Sequence, residues 1–172
     1  MNLHEIGLKH NTDKATYHNF CDFYQKELPK NPKRILEIGV MDGASLKMWK
    51  EYYPKAEVIG IDIKEPQEIN GALWLKVDAT DINALKDLGK FDIIIDDGSH
   101  LTKEQQISFN YLFENSLNKG GYYVMEDLHT SFVDSYINSK YTTYEVLQGI
   151  KNVKYHQSKE DKSDSFTAII KK

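Results

Sequence analysis

At 172 residues and 19.9 kDa the chain has the size of a single domain and can enclose one substantial core. Its 40% apolar and 28% charged residues are too balanced for a disordered chain. A net charge of −4 spread without a basic stripe argues against nucleic acid as the main ligand and favours a small molecule or neutral polymer. The first residues, "MNLHEIGLKHNTDK", lack a secretory pattern and no apolar run approaches the ~20 residues of a membrane span, so a cytoplasmic protein without a membrane partner is expected.

From Thr16, "TYHNFCDFYQKEL" carries apolar groups at helical spacing until Pro29 and Pro32 stop it, and Cys21 fits that stripe as a small core hydrophobe. "KRILEIGV" reads as the first strand, and "DGASLKMWKEYYP" as a helix presenting Leu46, Trp49 and Tyr53. "AEVIGIDI" and "ALWLKVD" read as the next two strands. "TDINALKDLGK" follows as a helix with an Ile82, Leu85, Leu88 stripe, and "FDIIIDD" as the fourth strand. "LTKEQQISFNYLFENSL" is a helix with Thr102 and Gln105 at capping-box spacing, and "GGYYVMED" is a fifth strand. A helix near "TTYEVLQGI", a strand "NVKYHQ", a charged turn "SKEDKSDS" and a strand "FTAIIKK" close the chain.

Parallel neighbours need crossovers, and the last two strands have no helix between them. The expected fold is therefore α/β: one doubly wound, mostly parallel seven-stranded sheet with a C-terminal antiparallel hairpin. In such sheets ligands bind beyond the carboxyl ends of the strands, so the strand ends hold the chemistry.

The first strand ends in "LEIGVMDG", with Glu37, Gly39 and Gly43 as ExGxxxG. The second close-set glycine that a pyrophosphate needs is missing, which argues against a dinucleotide oxidoreductase. Asp62 ends the second strand 23 residues after Gly39, where an acid accepts ribose hydroxyls, and Asp78 ends the third. Singly, each glycine suits a turn and each aspartate a helix cap; in register on successive strands they suit an adenosyl group.

The fourth strand ends in Asp96, Asp97 and His100, and the fifth in Glu126 and Asp127. Four carboxylates in one small volume raise one another's pKa unless a cation neutralises them, and all-oxygen ligation suits Mg²⁺, with Mn²⁺ as the other candidate, better than zinc. "DDGS" and "ED" are also ordinary turn chemistry; their place on adjacent strand ends favours a site.

Taken together, "NTDKATYHNF", "ILEIGVMDGASLKMW", "VIGIDI", "FDIIIDDGSH" and "GGYYVMEDL" resemble class I S-adenosylmethionine-dependent methyltransferases, specifically the metal-dependent macrolide sugar O-methyltransferases of the mycinamicin and tylosin type. The resemblance implies Asp97, Glu126 and Asp127 as metal ligands and His100 as general base. It sets Thr12, Glu37, Gly39, Gly43, Ser45, Asp62, Asp78 and Asp96 toward S-adenosylmethionine, with Thr12 and Lys14 closing over cofactor or substrate. It implies a Rossmann-like methyltransferase fold in one domain over residues 1–172, with residues 1–32 a helical segment covering the active site and 33–172 the core. The implied acceptor is a small-molecule or glycan hydroxyl; the macrolide enzymes carry an additional N-terminal domain, so acceptor and homo-oligomer state do not transfer. A catechol or phenol O-methyltransferase is the alternative.

Overall fold

The computed structural model describes residues 1–158 and 164–172, so most of the expected charged turn, residues 159–163, lies outside the described residues. The strands are β1 (Arg34–Ile38), β2 (Glu57–Asp62), β3 (Ala72–Lys76), β4 (Phe91–Asp96), β5 (Leu117–Met125), β6 (Val153–Gln157) and β7 (Phe166–Lys171). They form one sheet in the order β3-β2-β1-β4-β5-β7-β6. It is parallel from β3 through β5, and β7 runs antiparallel to both β5 and β6. This is the doubly wound, Rossmann-like arrangement expected from the alternation of strands and helices.

Alternate residues of the central strands point to opposite faces, so β1 and β4 are apolar on both. Ile35, Ile93 and Ile95 pack with residues of α1 (Leu3–His10), α2 (Asp13–Thr16), α3 (Cys21–Glu27) and α4 (Ala44–Tyr52), among them Tyr24, Leu46 and Trp49. Leu36, Ile38 and Ile94 pack with residues of α5 (Ile82–Leu85), α6 (Thr102–Asn115) and α7 (Thr143–Gln148), among them Leu85, Phe109, Leu112 and Leu147. Cys21 is a buried free thiol, as its position in the apolar stripe implies. Burial of each such Ile or Leu contributes about 1.5–3 kcal/mol.

Local details depart from the sequence pattern where side chains find tertiary partners. The helix expected from Thr16 begins only at Cys21, because Asn19 adopts φ +56° and the Phe20 amide donates to the Lys14 carbonyl at 2.9 Å. Asn tolerates this left-handed conformation better than most residues. No capping box forms at Thr102: its hydroxyl pairs with Ser139 Oγ at 2.7 Å, while Gln105 Oε1 accepts from Thr143 Oγ1 at 2.7 Å. Ile82 is exposed because its helix makes a single turn before Lys86–Leu88 tightens into a 3₁₀ turn. Among the described residues no helix is long and apolar enough to cross a membrane.

Candidate active site

Register brings the strand ends level: Ile38 pairs with Asp96, and Asp96 with Met125. The ladder continues one residue beyond them, with Asp97 N donating to Ile38 O and Glu126 N to Asp96 O, both at 2.9 Å. Gly39 has φ +85°, and a Cβ there would lie 2.0 Å from the Asp97 carbonyl oxygen. Only glycine allows the β1 and β4 tips to come so close.

A cleft of about 560 Å³ lies over these tips, and Gly39, Asp62, Asp78, Asp96, Asp97, His100 and Asp127 all line it. A smaller cavity of about 180 Å³ shares Gly39 and Asp97 and is lined by Thr12 and Ser45. Of the residues expected from the sequence, Lys14, Glu37, Gly43 and Glu126 line neither. Gly43 instead caps α4 at φ +80°, where a Cβ would meet the Ile69 side chain at 2.2 Å.

Asp62 holds the loop after β1 while facing the cleft: its Oδ2 accepts from Val40 N at 2.8 Å and Met41 N at 3.2 Å, and its Oδ1 from Lys64 N at 2.9 Å. Partial burial raises its pKa, but these amides outweigh that and leave it lowered. Asp78 Oδ1 accepts from the amide and hydroxyl of Thr80. Asp96 is buried, which lifts its pKa, and Ser108 Oγ at 2.6 Å and Tyr123 OH at 2.8 Å both donate to its Oδ2 and partly offset the lift.

Beneath the cleft, Lys14 is 1% exposed and its ammonium meets three carboxylates. Nζ lies 2.5 Å from Asp97 Oδ2, 3.0 Å from Glu126 Oε2 and 3.3 Å from Glu37 Oε1. Burial alone would lower the Lys14 pKa, yet the three anions carry it well above the ordinary lysine value. Glu37 is fully buried; burial pushes its pKa to about 7 despite the nearby Lys14 and the 2.8 Å hydrogen bond from Ser45 Oγ. Glu126 is raised for the same reason; its Oε1 is buried without a well-formed hydrogen bond, and the Tyr24 hydroxyl is the neutral group that interacts with this carboxylate.

Asp97, His100 and Asp127 each offer a ligand atom, and these atoms lie within 4.8 Å of one another. His100 Nε2 is 3.3 Å from Asp127 Oδ2, and Asp127 Oδ1 is buried without a hydrogen bond. Both residues sit in the left-handed region, His100 at φ +61° and Asp127 at φ +52°. Such backbone costs about 1–3 kcal/mol per non-glycine residue and concentrates at functional sites. Burial raises the Asp127 pKa, and Asp97 raises it further. His129 Nδ1 stands 3.8 Å from Asp127 Oδ1, and burial lowers that imidazole's pKa.

Ser108, Tyr123 and His129 are the members that sequence reasoning did not assign to this site, and Lys14, expected to close over cofactor or substrate, instead pairs with the acids beneath the cleft. Tyr123 had a signal: it pairs with Ile94, so it shares Asp96's face of the sheet at a diagonal position. Lys14 had one only in the TDK segment itself, and nothing in its spacing foretells three anionic partners.

No family model matches the chain. Among curated proteins it is 31% identical to L-olivosyl-oleandolide 3-O-methyltransferase of Streptomyces antibioticus over 92% of this chain and 47% of that protein. It is 35% identical to 8-demethyl-8-alpha-L-rhamnosyl tetracenomycin-C 2'-O-methyltransferase of Streptomyces olivaceus over 74% of this chain and 38% of that protein. The chain thus spans less than half the length of these curated relatives. Among solved structures it matches the MycE methyltransferase from the mycinamycin biosynthetic pathway in complex with Mg, SAH and mycinamycin VI. That match has TM-score 0.84 and 25% identity, covering 100% of this chain and 53% of that one.

Proposed function

This chain is a homologue of the macrolide and tetracenomycin sugar O-methyltransferases and carries the class I methyltransferase fold; from that premise we propose that it moves a methyl group from S-adenosylmethionine to a hydroxyl of a sugar or glycoside, aided by Mg²⁺ or Mn²⁺. The observation that carries this reading is the convergence of Asp97, His100 and Asp127 on the wall of a cleft at the strand ends.

The donor set fits a hard divalent ion. Asp97, Glu126 and Asp127 would hold it through oxygen, and Glu126 Oε1 and Asp127 Oδ1 are buried oxygens lacking hydrogen bonds. One ammonium serves these carboxyl groups and Glu37, and burial drives Glu37, Glu126 and Asp127 toward their neutral forms unless a further cation holds them ionised. When bound, the ion supplies the positive charge that lowers the pKa of a neighbouring hydroxyl.

Gly39, Asp62, Asp78 and Asp96 line the place for the adenosyl moiety, and Thr12 and Ser45 the adjoining cavity. Asp62 has acceptor capacity left for ribose hydroxyls, since a carboxylate offers about four lone-pair positions. Glu37 and Gly43 act indirectly, Glu37 through Ser45 and Gly43 by starting α4. His100 receives the acceptor proton, and Asp127, whose Oδ2 lies 3.3 Å from its Nε2, steadies the imidazolium that forms. The acceptor oxygen takes the methyl carbon as the carbon–sulfur bond breaks, and the sulfonium leaves as a neutral thioether. Much of the rate comes from holding the two substrates in line. Residues 1–32 serve as the cover and 33–172 as the core, supported by Thr12 and Lys14 reaching the site. A cytoplasmic location and a small-molecule acceptor, not nucleic acid or membrane, belong to the same proposal; the net charge of −4 speaks against nucleic acid.

The test is transfer of labelled methyl from S-adenosylmethionine to a panel of glycosides and catechols. Glycosides should accept label, EDTA should abolish transfer and Mg²⁺ should restore it. Labelling of catechols alone would point to the phenol-directed alternative. Transfer that survives exhaustive chelation would remove the metal, and absence of S-adenosylhomocysteine binding by calorimetry would overturn the assignment.

A further inference from the structure

Resting on the metal-dependent reading above, we propose that Lys14 is the resident half of a two-cation centre: its ammonium shares Asp97 and Glu126 with the divalent ion and holds that ion's affinity down. Lys14 takes one oxygen from each, Asp97 Oδ2 at 2.5 Å and Glu126 Oε2 at 3.0 Å. The remaining Glu126 oxygen, Oε1, is buried with no hydrogen-bond partner, and Asp97 is also a member of the Asp97–His100–Asp127 group. Asp97 thus stands in both settings, against the Lys14 ammonium and in the group with His100 and Asp127, while Glu126 keeps one oxygen that Lys14 does not take.

The position of Lys14 is built in. Its carbonyl accepts from Phe20 N at 2.9 Å and from Cys21 Sγ at 3.5 Å. A Cβ on Gly7 would lie 2.6 Å from Ala15 Cβ, so α1 presses directly on the turn that carries Lys14. With 1% of its surface exposed, the side chain has no water to turn to. Its charge keeps Asp97 and Glu126 placed when the ion departs, and the same charge repels the ion when it returns. Lys14 touches no reacting atom, so it is a positioning residue that trades tight binding for a site already assembled.

The experiment titrates the whole protein with Mn²⁺ alone, by calorimetry without cofactor, and follows thermal melts in EDTA and in Mn²⁺. Lys14→Met should bind Mn²⁺ about tenfold tighter or more, because a neighbouring positive charge has gone. Its melting temperature should fall in EDTA and recover in Mn²⁺ by more than the wild type gains. Lys14→Arg, which keeps the charge, should stay within about threefold of wild-type affinity. A Lys14→Met chain that folds only with Mn²⁺ present supports the proposal equally. Unchanged or weaker binding in Lys14→Met, tenfold tightening in Lys14→Arg, or a Lys14→Met chain unfolded whether or not Mn²⁺ is added would overturn it. Wild type that binds no Mn²⁺ sinks the metal-dependent reading as well; wild type that binds while Lys14→Met matches it sinks the role of Lys14 alone.

Discussion

Replacing Glu37 by Gln keeps the shape of the buried side chain and its bond from Ser45 but removes the group that titrates. In the folded chain Glu37 has a pKa of about 7, with burial as the largest cause, against an ordinary glutamate value of 4.5. The folded state therefore holds a proton that the unfolded state has released between those values, so stability falls as pH rises through this window. Integrating the two titrations from pH 5 to pH 8 gives a loss of about 2.5 kcal/mol from this group, at 1.36 kcal/mol per pKa unit. For a domain of this length that corresponds to roughly 5–10 °C in melting temperature. Urea melts of wild type and Glu37→Gln at both pH values, in EDTA, isolate the effect: the variant should gain on wild type by about 2.5 kcal/mol between pH 5 and pH 8. Parallel pH profiles for the two proteins would refute the reasoning, since they would mean that Glu37 is as easily ionised folded as unfolded.

Further predictions follow from the strand ends. His100→Ala should leave S-adenosylhomocysteine affinity nearly intact by calorimetry while turnover drops roughly 100-fold or more; equal loss of cofactor binding would remove it as the base. Gly39→Ala forces a Cβ against the Asp97 carbonyl at φ +85° and should cost roughly 3 kcal/mol or more in a denaturant melt, with cofactor binding lost alongside. Tyr123→Phe deletes one of two donors to the buried Asp96 carboxylate and should cost about 1–3 kcal/mol; a change within 0.5 kcal/mol, the ordinary range for surface substitutions, would show that the bond adds little.

The fold was readable because each strand and its crossover helix declare themselves by different periods, and because the missing helix before β7 could only mean an antiparallel pair. The strand-end rule brings Asp62, Asp78, Asp96, Asp97, His100 and Asp127 to one edge of the sheet, since position along a parallel strand settles which tip carries a residue. Side-chain direction was harder to read. Glu37 and Glu126 lie at or next to the same level of the sheet as the cleft residues yet point beneath it, and a linear sequence does not say which acid the covering segment will reach. Thr102 and Gln105 illustrate the same limit at a helix end, where a capping pattern yielded to hydroxyl partners from distant segments.

That limit explains how electrostatics inferred from the sequence came out half complete. Four acids around one imidazole call for a cation, and from the sequence alone a metal is the only candidate in view. Lys14, 83 residues from Asp97 along the chain, meets part of it from the N-terminal segment. A partner at that separation leaves no trace in local spacing, because it is set by how α1 and α2 pack and not by either strand. The charge balance then divides in two. Glu37, Asp97 and Glu126 meet the Lys14 ammonium, whereas on the proposed reading Asp127 and the second oxygens of Asp97 and Glu126 would serve a metal ion. An N-terminal segment that supplies a counter-charge to the strand tips is tied to them, so its loss should disturb these carboxylates.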